Sequence, residues 1–160
     1  EDMEPLEVLN RGFGGAQISH VIHHFEVIVK PYNPKAIVFF CGTNDLTALK
    51  TPEETVHDFK KFLSLVRNEF GNIKVYVIGI KPTLDRLYLD KEERIFNSLV
   101  SSLASDDAYL EYINIWDPML NQDGSRMPEL FIEDGLHMNE KGYEVWTKKV
   151  RESLGKEFDL

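Results

Sequence analysis

The 160-residue chain has one cysteine, Cys41, no apolar run approaching the roughly 18 to 20 residues of a bilayer-spanning helix, and no stripe of lysine and arginine. A lone cysteine excludes an internal disulfide framework and any cysteine-rich zinc site, so the core has to be made by apolar burial alone. That suits the cytoplasm. With 18 basic against 27 acidic side chains, the formal net charge is -9. Binding to a phosphate backbone draws on counterion release by clustered cations, so nucleic acid is not an expected partner. Repeats, low-complexity tracts and Ser/Gly/Pro linkers are also missing, which points to a single domain over residues 1–160. The opening Glu1-Asp2-Met3-Glu4-Pro5 does not read as a signal peptide.

What is present is an alternation of short apolar runs with longer helical patterns. Strands are expected at residues 7–10, 36–41, 73–80 and 109–115, with helices at 17–29, 51–70, 91–104 and 139–154. The two middle strands are almost continuously apolar, as strands covered on both faces should be, which favours an α/β fold with a parallel sheet between helix layers. Thr51-Pro52-Glu53-Glu54 reads as a capping box with proline in the first turn. Behind it Val56, Phe59, Phe62, Leu63, Val66 and Phe70 recur at spacings of three and four, a core face that Gly71 brings to an end. The last helix takes Asn139 as its cap and should turn Tyr143, Trp146 and Val150 inward. Cys41, at the end of an apolar run, reads as a small buried hydrophobe. Between Trp116 and Met138 lies a long irregular stretch, and loops of that length in a compact domain usually carry function.

Ligands of open α/β sheets bind beyond the carboxyl ends of the strands, and three segments fall there. Asn10-Arg11-Gly12-Phe13-Gly14-Gly15 is a glycine-rich turn ahead of a helix, able either to offer amides to an anion or simply to turn the chain. As a dinucleotide fingerprint it fails, because the third glycine would fall at Gln17. Gly42-Thr43-Asn44-Asp45 can aim the Asn44 carboxamide into the cleft, although an Asx turn explains the pair as well. In Asp134-Gly135-Leu136-His137 the carboxylate can accept the imidazole Nδ1–H and leave Nε2 free as a base; a surface Asp-Gly turn is the plain alternative. His20, His23 and His24 could share a helix face, but no carboxylate is placed with them as zinc would need, so no metal is expected. Together the segments fit acyl transfer, with His137 as base, Asp134 as its orienter, and the Gly15 amide and Asn44 as oxyanion donors.

With these residues in view, the chain resembles the SGNH hydrolases, also called GDSL-type lipases or esterases. Asn10-x-Gly12-x-x-Gly15 is similar to the family's second block, Gly42-Thr43-Asn44-Asp45 to the third, and Asp134-x-x-His137 with Asn139 and Gly142-Tyr143 to the last. The resemblance implies a three-layer, flavodoxin-like α/β/α fold, a Ser-His-Asp mechanism on carboxylic esters, and no cofactor. Met138 stands where proline or leucine is common. One block is missing. The family's first strand and its nucleophilic serine precede the Asn-x-Gly block, whereas none of the nine residues before Asn10 is serine, and Ser19 falls within an expected helix. In the sheet order 2-1-3-4-5 the missing strand would lie between residues 7–10 and 36–41. The expectation is therefore an incomplete domain whose strand, helix and serine lie upstream, where a signal peptide could also lie.

On substrate, Lys81 and Arg86 in Lys81-Pro82-Thr83-Leu84-Asp85-Arg86 could flank an anionic or polar group, or be solvated charge. Trp116, Met119, Met127, Pro128 and Phe131 could wall an acyl pocket. Without a long hydrophobic lid, a small short-chain acyl ester or acetylated sugar is expected. The competing reading is a catalytically inactive SGNH-like module that binds a ligand or partner, with a flavodoxin-like nucleotide binder third. Oligomeric state is left open.

Overall fold

The computed structural model describes residues 3–159. Three parallel strands, β1 (Ala36–Phe39), β2 (Lys74–Ile78) and β3 (Leu110–Ile113), lie in that order, with Ala36 opposite Lys74 and Val75 opposite Leu110. Helices α1 (Ile18–His23), α2 (Phe25–Ile28), α3 (Thr43–Thr47), α4 (Pro52–Phe70), α5 (Asp90–Ser105) and α6 (Glu140–Leu154) complete the chain. Alternating side chains of β2 divide the core. Val75 and Val77 pack with α1, α4 and α5, whereas Tyr76 and Ile78 pack with α6 and the irregular segment before it. The result is a three-layer α/β/α sandwich.

Local chemistry explains most element ends. Thr51 Oγ1 accepts from the Glu54 amide at 3.1 Å while the Glu54 carboxylate accepts from the Thr51 amide at 2.8 Å, which closes the expected capping box of α4. Its core face is buried as expected, apart from half-buried Phe70. Asn139 caps α6 by accepting from Gly142 N at 3.2 Å. Cys41 is buried, and desolvation pushes its thiol up to about 12, as befits an inert core residue.

Four expectations are corrected. Residues 7–10 form no strand; Val8 and Leu9 are each 58% exposed. In the 2-1-3-4-5 order their only neighbour would be a strand that is not among the described residues, and an unpaired strand leaves its backbone groups without partners. For the same reason the second face of β1 is only partly covered: Phe39 is buried beneath α4, whereas Val38 and Phe40 are 44% and 36% exposed, although the Phe40 ring packs against Trp146 of α6. The helix expected over residues 17–29 is interrupted at His24, which ends α1 and precedes α2. Tyr143 is 53% exposed instead of inward: α6 meets β2 and β3 through Val150 and Leu154, while near its start Trp146 takes the place against Phe40 and Tyr143 packs on the Trp146 ring.

Candidate active site

The loop ahead of α6 builds its site within four residues. Asp134 Oδ1 accepts from the Leu136 and His137 amides, both at 2.8 Å, and Oδ2 lies 2.6 Å from His137 Nδ1. One carboxylate thus fixes the turn and the imidazole together. The bond to the His137 ring, followed by the two amides, holds Asp134 down at about 2, so it stays ionised and able to support an imidazolium. With its Nδ1 engaged, His137 presents Nε2 outward from a largely exposed ring.

The second arm is assembled across the chain. Asn44, in α3 just beyond the end of β1, donates from Nδ2 to the Ala16 carbonyl at 3.1 Å, and Cys41 Sγ donates to the same oxygen at 3.4 Å. Asp45, fully buried, accepts from the Ile18 amide with both oxygens at 3.1 and 3.3 Å and binds Lys50 at 2.7 Å. These contacts seat the glycine-rich turn against the end of β1. Gly15 sits at φ +70, a left-handed conformation that glycine adopts without strain, and its N–H has no partner among the described residues. Gly42, at φ +131, makes the sharp exit from β1; a Cβ there would stand 3.0 Å from the Phe96 ring. A primary amide has two hydrogens, so one Asn44 N–H can be held by Ala16 while the other remains for an oxyanion.

The loop after β2 joins the arms. Asn97 grips the Ile80 backbone, accepting its N–H at 2.7 Å and donating to its carbonyl at 2.9 Å. Beyond it, the Leu84 and Asp85 amides donate to the Gly135 carbonyl at 2.8 and 3.2 Å, which docks the Asp134–His137 turn. Arg86 reaches the other way, to Thr43 Oγ1 at 3.0 Å and Asn44 Oδ1 at 3.5 Å. Lys81 is buried, not solvated, and desolvation lowers it to about 8. Sequence reasoning passed over Asp45, which it read as half of a turn pair, and over Asn97 and Glu93 of α5. Glu93 is fully buried with neither oxygen hydrogen-bonded among the described residues, and desolvation raises it to about 8.

Three expected wall residues lie elsewhere. Trp116 is 4% exposed beneath the Arg94 and Arg126 guanidiniums, and Met119 and Phe131 are packed in the α6-side core. All three are too apolar to remain open once the irregular segment folds onto β3 and α6, so none of them lines an open acyl pocket. His20, His23 and His24 are exposed; among the described residues no three His, Cys, Asp or Glu side chains converge as a metal site. No described helix is long and apolar enough to cross a membrane.

This architecture is shared with known proteins. A mutant acetyl esterase with acetate ion superposes with a TM-score of 0.77 at 18% identity, covering 91% of this chain and 69% of that one. A GDSL-like lipase from Bacteroides thetaiotaomicron gives a TM-score of 0.76 at 19% identity, over 90% and 73% of the two chains. At such identities the likeness establishes the fold. In sequence, the chain is 27% identical over 151 residues to the N-acylneuraminate cytidylyltransferase of Escherichia coli O18:K1:H7, a match over 92% of this chain that spans 35% of the relative's length. The model of the GDSL-like lipase/acylhydrolase family matches residues 2–145, nearly the whole of the described fold, and the chain belongs to that family.

Proposed function

We propose that this chain is the larger part of a serine ester hydrolase whose nucleophile is carried by an upstream segment, and that it acts on short-chain acyl or acetyl esters. The observation that carries the reading is the pairing of an ionised Asp134 with His137 Nδ1 at 2.6 Å, docked by the residue 81–86 loop toward Asn44. The serine hydroxyl attacks the ester carbonyl as its proton passes to His137 Nε2, and the oxyanion is received by the Gly15 N–H and the free Asn44 N–H. His137 then returns the proton to the departing alcohol. In the second half-reaction it takes a proton from water, which releases the carboxylic acid and restores the serine. Among the described residues the outer edge of β1 has no partner strand, which leaves room there for a strand bearing that serine. Support for a small acyl group comes from the acetyl esterase of like fold, and for a sugar as the part that carries it from a relative named for N-acylneuraminate.

The test uses the complete protein. A fluorophosphonate probe should add once, to a serine upstream of Glu1, and His137→Ala should cut turnover of an acetyl ester by roughly 10⁴-fold or more. Unchanged turnover in that variant would remove His137 from its role. Absence of both adduct and turnover would leave the binding-module reading.

A further inference from the structure

We propose that the ester accepted by this site carries a carboxylate, and that Lys81 is the residue that selects it; the inference rests on the ester-hydrolase reading above. In this acidic protein four other cations that are largely shielded from solvent have an acid in contact. Lys50 has Asp45 at 2.7 Å, Lys74 has Glu157 at 2.7 Å, Arg126 has Asp90 at 2.5 Å and Arg67 has Asp107 at 3.4 Å. Lys81 is only 8% exposed, yet among the described residues it has no hydrogen bond and no carboxylate within 4.0 Å. Its ammonium instead stands 5.4 Å from the Phe40 ring centre and 5.8 Å from that of Trp146. Ring faces attract a cation but accept far less than a carboxylate oxygen does, so the ammonium is held without an acid in contact.

Glu93 does not neutralise it either. That carboxyl makes no hydrogen bond to Lys81 and, raised to about 8, is mostly protonated at neutral pH. Arg86 adds positive charge from the same loop; the Asp134 carboxylate acts on Lys81 only through space, its own oxygens being taken by the His137 ring and by the Leu136 and His137 amides. The place of this cation, with no acid in contact, matters as much as its burial. Lys81 follows β2 at the carboxyl end of the sheet, on the loop that docks the His137 turn on one side and holds Thr43 and Asn44 on the other. A substrate lying between base and oxyanion donors therefore lies within its field, which a poorly hydrated site strengthens. A single ammonium with aromatic walls suits a monoanion, because the two terminal nitrogens of Arg86 already donate to Thr43 and Asn44.

A matched pair of acetyl esters tests this on the complete protein: 4-acetoxybenzoate and its uncharged analogue 4-acetoxybenzamide. A charge-assisted hydrogen bond in a shielded site corresponds to roughly 10- to 100-fold, so kcat/KM should favour the benzoate by at least about tenfold. Lys81→Met should lower the benzoate value by that factor more than the benzamide value, and Lys81→Arg should keep part of the preference. Equal values for the two esters in the unmodified protein, or an equal fall for both in Lys81→Met, would overturn the proposal. A stronger preference for 4-acetoxyphenyl phosphate would overturn the carboxylate assignment. Calorimetric binding of 4-hydroxybenzoate separates this from the parent reading, because it needs no turnover. Binding that Lys81→Met weakens at least about tenfold, in a protein that hydrolyses neither ester, would sink the hydrolase and keep the anion site; hydrolysis of the benzamide without benzoate binding would do the reverse.

Discussion

The two arms of the candidate site are built in opposite ways. The Asp134–His137 arm closes over three residues, with one carboxylate bonding two amides and a ring on an exposed turn. The Gly15–Asn44 arm depends on contacts between residues 25 to 28 apart in sequence, and its keystone, Asp45, is fully buried. A locally closed turn can keep its geometry with little help from the rest of the fold. The second arm exists only while α1 is docked against the end of β1, so it couples oxyanion geometry to global stability.

That contrast can be broken first at Asp45. Asp45→Ala leaves the buried Ile18 amide without its acceptor and removes one of the two carboxylates that hold Lys50, which should cost about 3 kcal/mol. Thermal unfolding of the complete protein measures it. Asp134→Ala, on the exposed turn, should leave the melting temperature nearly unchanged while abolishing most turnover; a comparable fall in both variants would mean that the arms are not built differently. Next, Asn44→Ala should reduce kcat by roughly 10²- to 10³-fold with little change in KM, since its free N–H serves the oxyanion more than the bound ester. A change confined to KM would place Asn44 in ground-state binding.

A last effect, read as a slope against pH, is expected from Glu93, beneath the loop that joins the arms. Its folded value of about 8 lies above the ordinary 4.5, so below pH 4.5 both folded and unfolded states are protonated. Between pH 4.5 and about 8 the unfolded chain ionises first, and stability falls as pH rises, by a few kcal/mol at most. Glu93→Gln should flatten that slope in melting temperature against pH. An unchanged slope would assign it to other groups.

Much of this was legible from the chain. Capping signals at Thr51 and Asn139, the spacing of the α4 core face and the apolar runs of β2 and β3 are local or periodic properties, and the structure keeps them. Asp134 and His137 were legible because a carboxylate three residues before an imidazole can reach it within one turn. Residues 7–10 misled because a strand's apolar pattern says nothing about whether a neighbour is there to accept its backbone bonds. Tyr143 misled for a related reason: helical spacing names a face, but only the packed sheet decides how far along the helix that face is covered.

The sequence by itself determined the α/β alternation, the helix caps, the local Asp134–His137 turn and the three ordered blocks, because each depends on backbone preferences and side-chain reach over a few residues. Only the tertiary structure decided that Asp45 anchors α1, that Asn97 and Arg86 fix the joining loop, that Trp116 and Phe131 are core, and that Lys81 is a buried cation with no acid in contact among the described residues. Those are matters of burial and of contact between distant segments, and desolvation acts on a group only once the whole fold has closed around it.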